Sequence, residues 1–421
     1  MALQRGAVVF VDLAGTSVRV GQLQATTARG VERAAFTYDP SWLEHSERFA
    51  LEPALSLDSS PHHPPAGRAL FGAFGDSAPD RWGRMLIARA ERRQADREAR
   101  APHTLSELDY LLGVSDEARQ GALRFTAPGG GPFLAGGRPA APPLIDLPRL
   151  LAASDRIEAD ADNEDDLALL LAPGSSLGGA RPKASVGDRD GALAIAKFPK
   201  ASDAYPVERW EMVAVELARR AGITVPEARL ETVANRAVFV ARRFDRRGAP
   251  RLPFLSAMTL LGAMDGERRS YVEIADAVRR HGARASADTA ELWRRLTFSI
   301  LISNTDDHLR NHGVLYTGTD GWILSPAYDL NPTPTDVRPR ALTTTIGLND
   351  DPTASLESAL AEIDYFDLTL ERAHTIAGEV GRAVARWRTV ALHQGLSRAD
   401  CDRMATAFEH EDLAHAVSLG T

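Results

Sequence analysis

Residues 127–143 read APGGGPFLAGGRPAAPP, ten glycines and prolines in seventeen positions. Glycine loses about 0.5–1 kcal/mol inside a helix or strand relative to alanine. Proline removes a backbone donor and clashes with the preceding turn. Such a run continues neither element and predicts a linker. It divides the chain into an expected N-terminal domain at 1–126, a Gly/Pro-rich linker at 127–148 and a second domain at 149–421. The first part of that second domain extends to about residue 250. A chain of 421 residues can bury a large core without staples. Its 44% hydrophobic and 25% charged residues exclude a disordered chain, a collagen and a disulfide scaffold. The single cysteine, Cys401, excludes an internal disulfide and a cysteine zinc cluster. It fits a reducing compartment. The opening apolar run ends at Asp12 and is too short for a secretory segment. No apolar run is long enough to span a membrane, so the expected location is cytoplasmic. A net charge of −8 argues against nucleic acid binding over the whole surface.

The pattern of apolar residues predicts an α+β chain. Residues 7–12 and 17–24 read as strands about a turn at Gly15. A helix is expected from about Asp80, with Trp82, Met85, Leu86 and Ala90 near helical spacing. After the linker come two helices, then strands around a glycine-rich turn. A strong amphipathic helix at 208–222, closed by Gly222, follows. Two more strands precede a mainly helical remainder. A strand-rich segment followed by a helical one predicts a two-lobed arrangement.

Four segments carry chemistry. Ser175 to Lys183 (SSLGGARPK) holds adjacent glycines, whose N–H groups can cradle phosphate. Lys197 lies on an expected strand and is followed by a helix bearing Glu211, the pairing that neutralises nucleotide phosphates in kinases. Asp306 precedes Asn311 by five residues, the spacing of a kinase catalytic loop, in which the Asp accepts a hydroxyl proton and the Asn binds metal. Asp329, in YDLNP, supplies a second oxygen ligand for magnesium, which needs one or two carboxylates besides phosphate and water. The lysine count sharpens this reading. Of 49 basic residues only Lys183, Lys197 and Lys200 are lysines, all within 183–200. A chain this biased to arginine keeps lysine where a compact ammonium is needed and a planar guanidinium is not equivalent.

In this order, SSLGGARPK, AKFP, NTDDHLRNH and PAYDLNP resemble the HipA-type serine/threonine kinase toxins of bacterial toxin–antitoxin modules. FTYDPSWL, FGDSAPDRWGR and GALRF resemble the accessory N-terminal domain of that family. The resemblance implies a protein-kinase-like fold and an ATP- and Mg2+-dependent kinase. Gly178, Gly179, Ala180, Arg181, Pro182 and Lys183 would cover the phosphates. Lys197 would contact them with Glu211 as its partner. Arg242, Arg243 and Phe244 would lie at the adenine hinge. Asp306 would be the base. His308, Leu309, Arg310 and Asn311 would line the phosphate and metal site, completed by Tyr328 and Asp329. Arg242 and Arg181-Pro182 depart from a better-known member of the family. The resemblance further implies autophosphorylation at Ser176, with Ser175 as the neighbouring candidate. It implies a helix-turn-helix antitoxin of the HipB type, contact with DNA only through that partner, and an aminoacyl-tRNA synthetase as the target class.

Three rivals are weaker. DLAGT (12–16) matches the first phosphate loop of actin-like sugar kinases but leaves residues 306–329 unexplained. His410 and His415 are five apart, which puts them on different helix faces and rejects HExxH zinc chemistry. A non-catalytic pseudokinase acting as an antitoxin-binding co-repressor predicts loss of the base or the metal ligands. Asp306, Asn311, Asp329 and Lys197 are all present.

Overall fold

Strands β1 (Leu3–Leu13) and β2 (Thr16–Ala28) form a long antiparallel hairpin. The turn between them places Ala14 and Gly15 at φ 51° and 92°. Asp12 accepts the Gly15 N–H at 2.8 Å, which fixes this left-handed corner. In the computed structural model, residues 3–28, 31–136, 141–171, 179–318 and 321–420 are described. Strand β3 (Val31–Tyr38) adds beside β2, and β4 (Leu123–Thr126) beside β1, giving the order β3-β2-β1-β4. Val9, Val11, Val20, Leu23 and Phe36 are fully buried, as period-two alternation on one packed face requires. Phe74 bridges this sheet, its ring 5.4 Å from Phe36 and 6.2 Å from Phe125.

The chain forms two compact units: Met1–Ala201 with Val233–Asn235 and Arg242–Leu255, and Ser202–Thr232 with Arg236–Ala241 and Ser256–Thr421. The first takes in residues on both sides of the Gly/Pro-rich segment. It contains the helix Arg81–Arg97, whose N-cap Asp80 accepts from Gly83 N at 2.8 Å. It also contains the helices Leu147–Glu158 and Glu164–Leu171, then the antiparallel pair β5 (Lys183–Gly187) and β6 (Leu193–Lys197). A buried Arg/Asp network ties this unit together. Arg119, fully buried, donates to the carbonyls of Ser77, Leu111 and Val114. Arg251 pairs with Asp116 at 3.0 Å. Burial pushes the Arg119 guanidinium down to about 9, against the nearby Asp116 charge. Such a network holds only when each member is hydrogen-bonded.

In the second unit the helix Val207–Arg220 buries Met212 and Val215 against Phe239 and Ala241, with Val225, Ala228 and Leu230 alongside. Strands β7 (Ala228–Val233) and β8 (Arg236–Arg242) are joined by Ala234 and Asn235, which count with the first unit and are both left-handed, at φ 47° and 61°. The helices Tyr271–His281 and Ala285–Leu301 lead to the hairpin Gly313–Tyr316/Trp322–Leu324. The C-terminal helices close on a stacked Trp387–Phe408 pair, with centroids 4.6 Å apart. The expected α+β class, with strand-rich N-terminal sheets and a helical C-terminal part, is the one observed.

Candidate functional site

The helix Ala285–Leu301 ends at Ile302, and Ser303 turns the chain through a left-handed φ of 51°. Asn304, buried in the loop that follows, accepts from Asn331 N at 3.3 Å and donates to Ser299 Oγ at 3.4 Å. One asparagine thus joins the 304–311 loop to the 328–331 loop. The chain then presents Asp306 outward, its side chain 71% exposed, and turns Asp307 inward, at 4%. The short 3-10 turn Leu309–Asn311 brings Asn311 back on Asp306, and its Nδ2 donates to the Asp306 carbonyl at 3.2 Å. Tyr328 donates its hydroxyl to the Arg310 carbonyl at 2.6 Å. Asp329 sits at φ 60°, a left-handed position, and accepts from Asn331 Nδ2 at 3.1 Å. Strain of this kind is retained where a side chain must be aimed. Asp306, His308, Leu309, Arg310, Asn311, Tyr328 and Asp329 are therefore gathered on two loops stitched together by Asn304–Asn331 and Tyr328–Arg310. His308 Nδ1 is buried and has no hydrogen-bond partner among the described residues.

Asp307 is the residue that sequence reasoning missed. Its carboxylate accepts from the Tyr271 hydroxyl and from Ser299 Oγ at 3.1 Å, and lies 3.0 Å from His312 Nε2. Burial alone would raise its pKa; His312 and the hydroxyl donors outweigh burial and hold it below the usual carboxylate value. Burial, reinforced by the Asp307 charge, pushes the Tyr271 phenol well above its ordinary value. The pair of adjacent aspartates was visible in the sequence. Which one faces inward was not, because it depends on Tyr271 from a different helix.

Other expected site residues lie in the first unit. Ser175, Ser176 and Gly178 fall outside the described residues. Gly179 has φ 93°, which favours glycine, and an added Cβ would meet Lys183 Nζ at 3.0 Å. Ala180 is exposed, Arg181 half-buried and Pro182 buried, its carbonyl accepting from Phe198 N at 3.0 Å. Lys183 opens β5 but is buried, its ammonium 2.7 Å from Asp80. Lys197 ends β6 and is half-buried, with Lys183 as its cross-strand partner. Arg242 is exposed and pairs with Asp190 at 2.9 Å. Arg243 is buried, donating to Asp245 at 2.7 Å and to the carbonyls of Ala118 and Arg119. The Phe244 ring lies 6.2 Å from that of Phe254. Glu211 belongs to the second unit, where it is buried on the helix Val207–Arg220.

The family described as HipA N-terminal domain matches residues 11–126, and that described as HipA-like C-terminal domain matches residues 175–387. Y4dM of Sinorhizobium fredii, which carries a provisional kinase name, is 52% identical over 46 residues, covering 11% of each chain. A Haemophilus influenzae protein with the same kind of name is 28% identical over 134 residues, covering 28% of this chain and 39% of that one. The chain thus spans well under two thirds of the length of these curated relatives. Among solved structures, the Shewanella oneidensis toxin–antitoxin complex of HipA, HipB and operator DNA contains a chain of like fold. The TM-score is 0.64 at 15% identity, over 98% of this chain and 96% of that one.

Proposed function

The chain belongs to the HipA family, and from that premise we propose that it is an ATP- and magnesium-dependent protein serine/threonine kinase. The observation that carries the proposal is the pairing of an exposed Asp306 with Asn311 and the strained Asp329 on two loops tied by Asn304. In the transfer step, a substrate hydroxyl gives its proton to the Asp306 carboxylate while its oxygen attacks the γ-phosphorus. The bond from the γ-phosphorus to the β,γ-bridging oxygen breaks, and ADP leaves with that electron pair. Little covalent work falls to the protein, so positioning and charge neutralisation supply most of the rate.

Asn311 and Asp329 fit a hard cation. Asn311 commits its Nδ2 to the Asp306 carbonyl, which leaves its amide oxygen to act as ligand beside the Asp329 carboxylate. Oxygen ligands of this kind suit magnesium, which would neutralise charge on the phosphates. Lys197 would hold those phosphates with Glu211 as its helix partner, under a loop of Gly178 to Lys183. His308, Leu309, Arg310 and Tyr328 would frame them. At the hinge, Arg243 is committed to Asp245, so recognition of adenine falls to the backbone of Arg242–Phe244. Ser176 or Ser175 would be the autophosphorylated residue. We assign the accessory role to residues 1–126 and the catalytic one to 149–421. A HipB-type helix-turn-helix antitoxin would be the partner, an aminoacyl-tRNA synthetase the target class, and the cytoplasm the location. Among the described residues, no helix is long and apolar enough to cross a membrane.

The test uses γ-labelled ATP, magnesium and a serine/threonine peptide library. The wild type transfers label and Lys197→Arg loses most of it, since a planar cation displaces the phosphates. A wild type without transfer, or a Lys197→Arg variant of full activity, contradicts the proposal.

A further inference from the structure

The loop that follows Asp329 returns to the base. Thr333 N donates to the Ser303 carbonyl at 3.2 Å, and Thr343 N to the Thr305 carbonyl at 3.2 Å. The segment between them is therefore pinned at both ends to the residues just before Asp306. At its middle, Arg338 Nη1 donates to Asp306 Oδ1 at 2.9 Å. Its Nη2 donates to Thr343 Oγ1 at 3.2 Å, and that hydroxyl donates to the Thr305 carbonyl at 2.9 Å. The guanidinium is thus fixed to the catalytic loop from two sides, through the carboxylate and through a threonine relay.

We propose that Arg338 is the positioning residue of the base: it fixes Asp306 Oδ1 so that Oδ2 is the oxygen presented to the substrate hydroxyl. The proposal rests on the reading of Asp306 as base. An unguided carboxylate with 71% of its side chain exposed rotates freely, and every rotamer that turns Oδ2 away lowers the fraction of productive encounters. The ion pair itself is half in water. Such pairs contribute about 0–1 kcal/mol to stability, so Arg338 can orient the base without being needed for folding. Orientation also explains Thr343. A second anchor on the guanidinium sets its plane, and with it the carboxylate plane, which a single flexible contact does not do. Lysine, with one ammonium and no fork, satisfies one of these two anchors.

The experiment is a double-mutant cycle on Arg338 and Asp306, with transfer to the peptide library under Mg-ATP as the readout and nucleotide affinity measured beside it. Arg338→Ala should lower kcat about tenfold, a small part of the roughly 100- to 10,000-fold range of general base catalysis. The Kd for ATP should not move. Thr343→Val should lower kcat by a smaller factor, and Thr343→Ser should restore it. In an Asp306→Asn background, Arg338→Ala should have no further effect on the residual rate, because the carboxylate it guides is gone. Equal loss from Arg338→Ala in both backgrounds overturns the inference and places the guanidinium on substrate. A kcat unchanged by Arg338→Ala overturns it as well while leaving the kinase reading intact. A wild type that transfers no phosphate overturns the kinase reading and the inference with it.

Discussion

The Lys183 ammonium lies 2.7 Å from the Asp80 carboxylate, and each side chain is 4% exposed. Asp80 also caps the helix Arg81–Arg97, and Trp82 Nε1 donates to the Lys183 carbonyl at 3.1 Å. Lys183 pairs across the β5–β6 ladder with Lys197, so the two lysines share a face of the hairpin. Like charges directly opposite destabilise a sheet. Asp80 offsets the buried one, Lys183. Burial is the largest influence on Asp80 and raises its pKa despite Lys183.

Removing one partner of this pair leaves a buried charge unmatched, at a cost of about 3–5 kcal/mol. Asp80→Asn and Lys183→Met should each lower the thermal midpoint by several degrees. Lys183→Arg should do so too, because the larger head group meets Gly179 where even a Cβ would lie 3.0 Å from Nζ. Lys200→Arg should be neutral, since Lys200 makes a partly exposed contact with Glu158 at 3.4 Å. Equal shifts for Lys183→Arg and Lys200→Arg would remove the distinction.

Stability should also carry a pH signature from Glu52. Burial pushes this carboxyl up to about 7, although it accepts from Ala73 N at 2.6 Å. The folded value lies above the unfolded one of 4.5. Its contribution is therefore fully present below pH 4.5 and is lost as pH rises through 7. The loss amounts to about 3 kcal/mol, from 1.36 kcal/mol per pKa unit. Melting curves between pH 5 and 8 should fall more steeply for wild type than for Glu52→Gln. Parallel curves would show that Glu52 does not set the slope.

The inward-facing Asp307 should matter through its donors. Tyr271→Phe removes one of them from a buried carboxylate, at about 1–3 kcal/mol. The variant should melt lower and turn over more slowly, because Asp307 anchors the loop that carries Asp306. Calorimetry and steady-state kinetics on one preparation check both effects. A variant that melts lower but keeps wild-type kcat would confine Tyr271 to stability.

Ser176 should gain phosphate when the wild type is incubated with Mg-ATP. A phosphoserine carries about −1.5 to −2 charges near neutral pH and would repel the nucleotide phosphates that the loop is meant to cover. Activity should decline as the modification accumulates, and Ser176→Ala should resist that decline. Intact mass and peptide mapping locate the group. An active wild type that never gains mass within 174–183 contradicts the assignment.

Much of this was legible along the chain because its causes are local. The β1–β2 corner follows from Gly15, the helix after Asp80 from the near-helical spacing of Trp82, Met85, Leu86 and Ala90, and the Asp306–Asn311 turn from its five-residue spacing. What stayed hidden depends on distant partners. The ion pair of Lys183 cannot be read until Asp80, 103 residues earlier, is seen beside it. The commitment of the Arg243 guanidinium is likewise hidden until Asp245 and the Ala118 carbonyl are seen to take it up. Arg338 gave no signal at all, since one arginine in a chain so rich in them carries no information until a loop delivers it to Asp306.

The most direct measurement of the central claim is the comparison of wild type and Asp306→Asn for ATP binding and for phosphoryl transfer, on the same preparations. A base acts on the substrate hydroxyl and contributes little to nucleotide affinity. The account therefore predicts an unchanged Kd for Mg-ATP and a turnover lowered at least about 100-fold. An Asp306→Asn chain that transfers phosphate at the wild-type rate would contradict it.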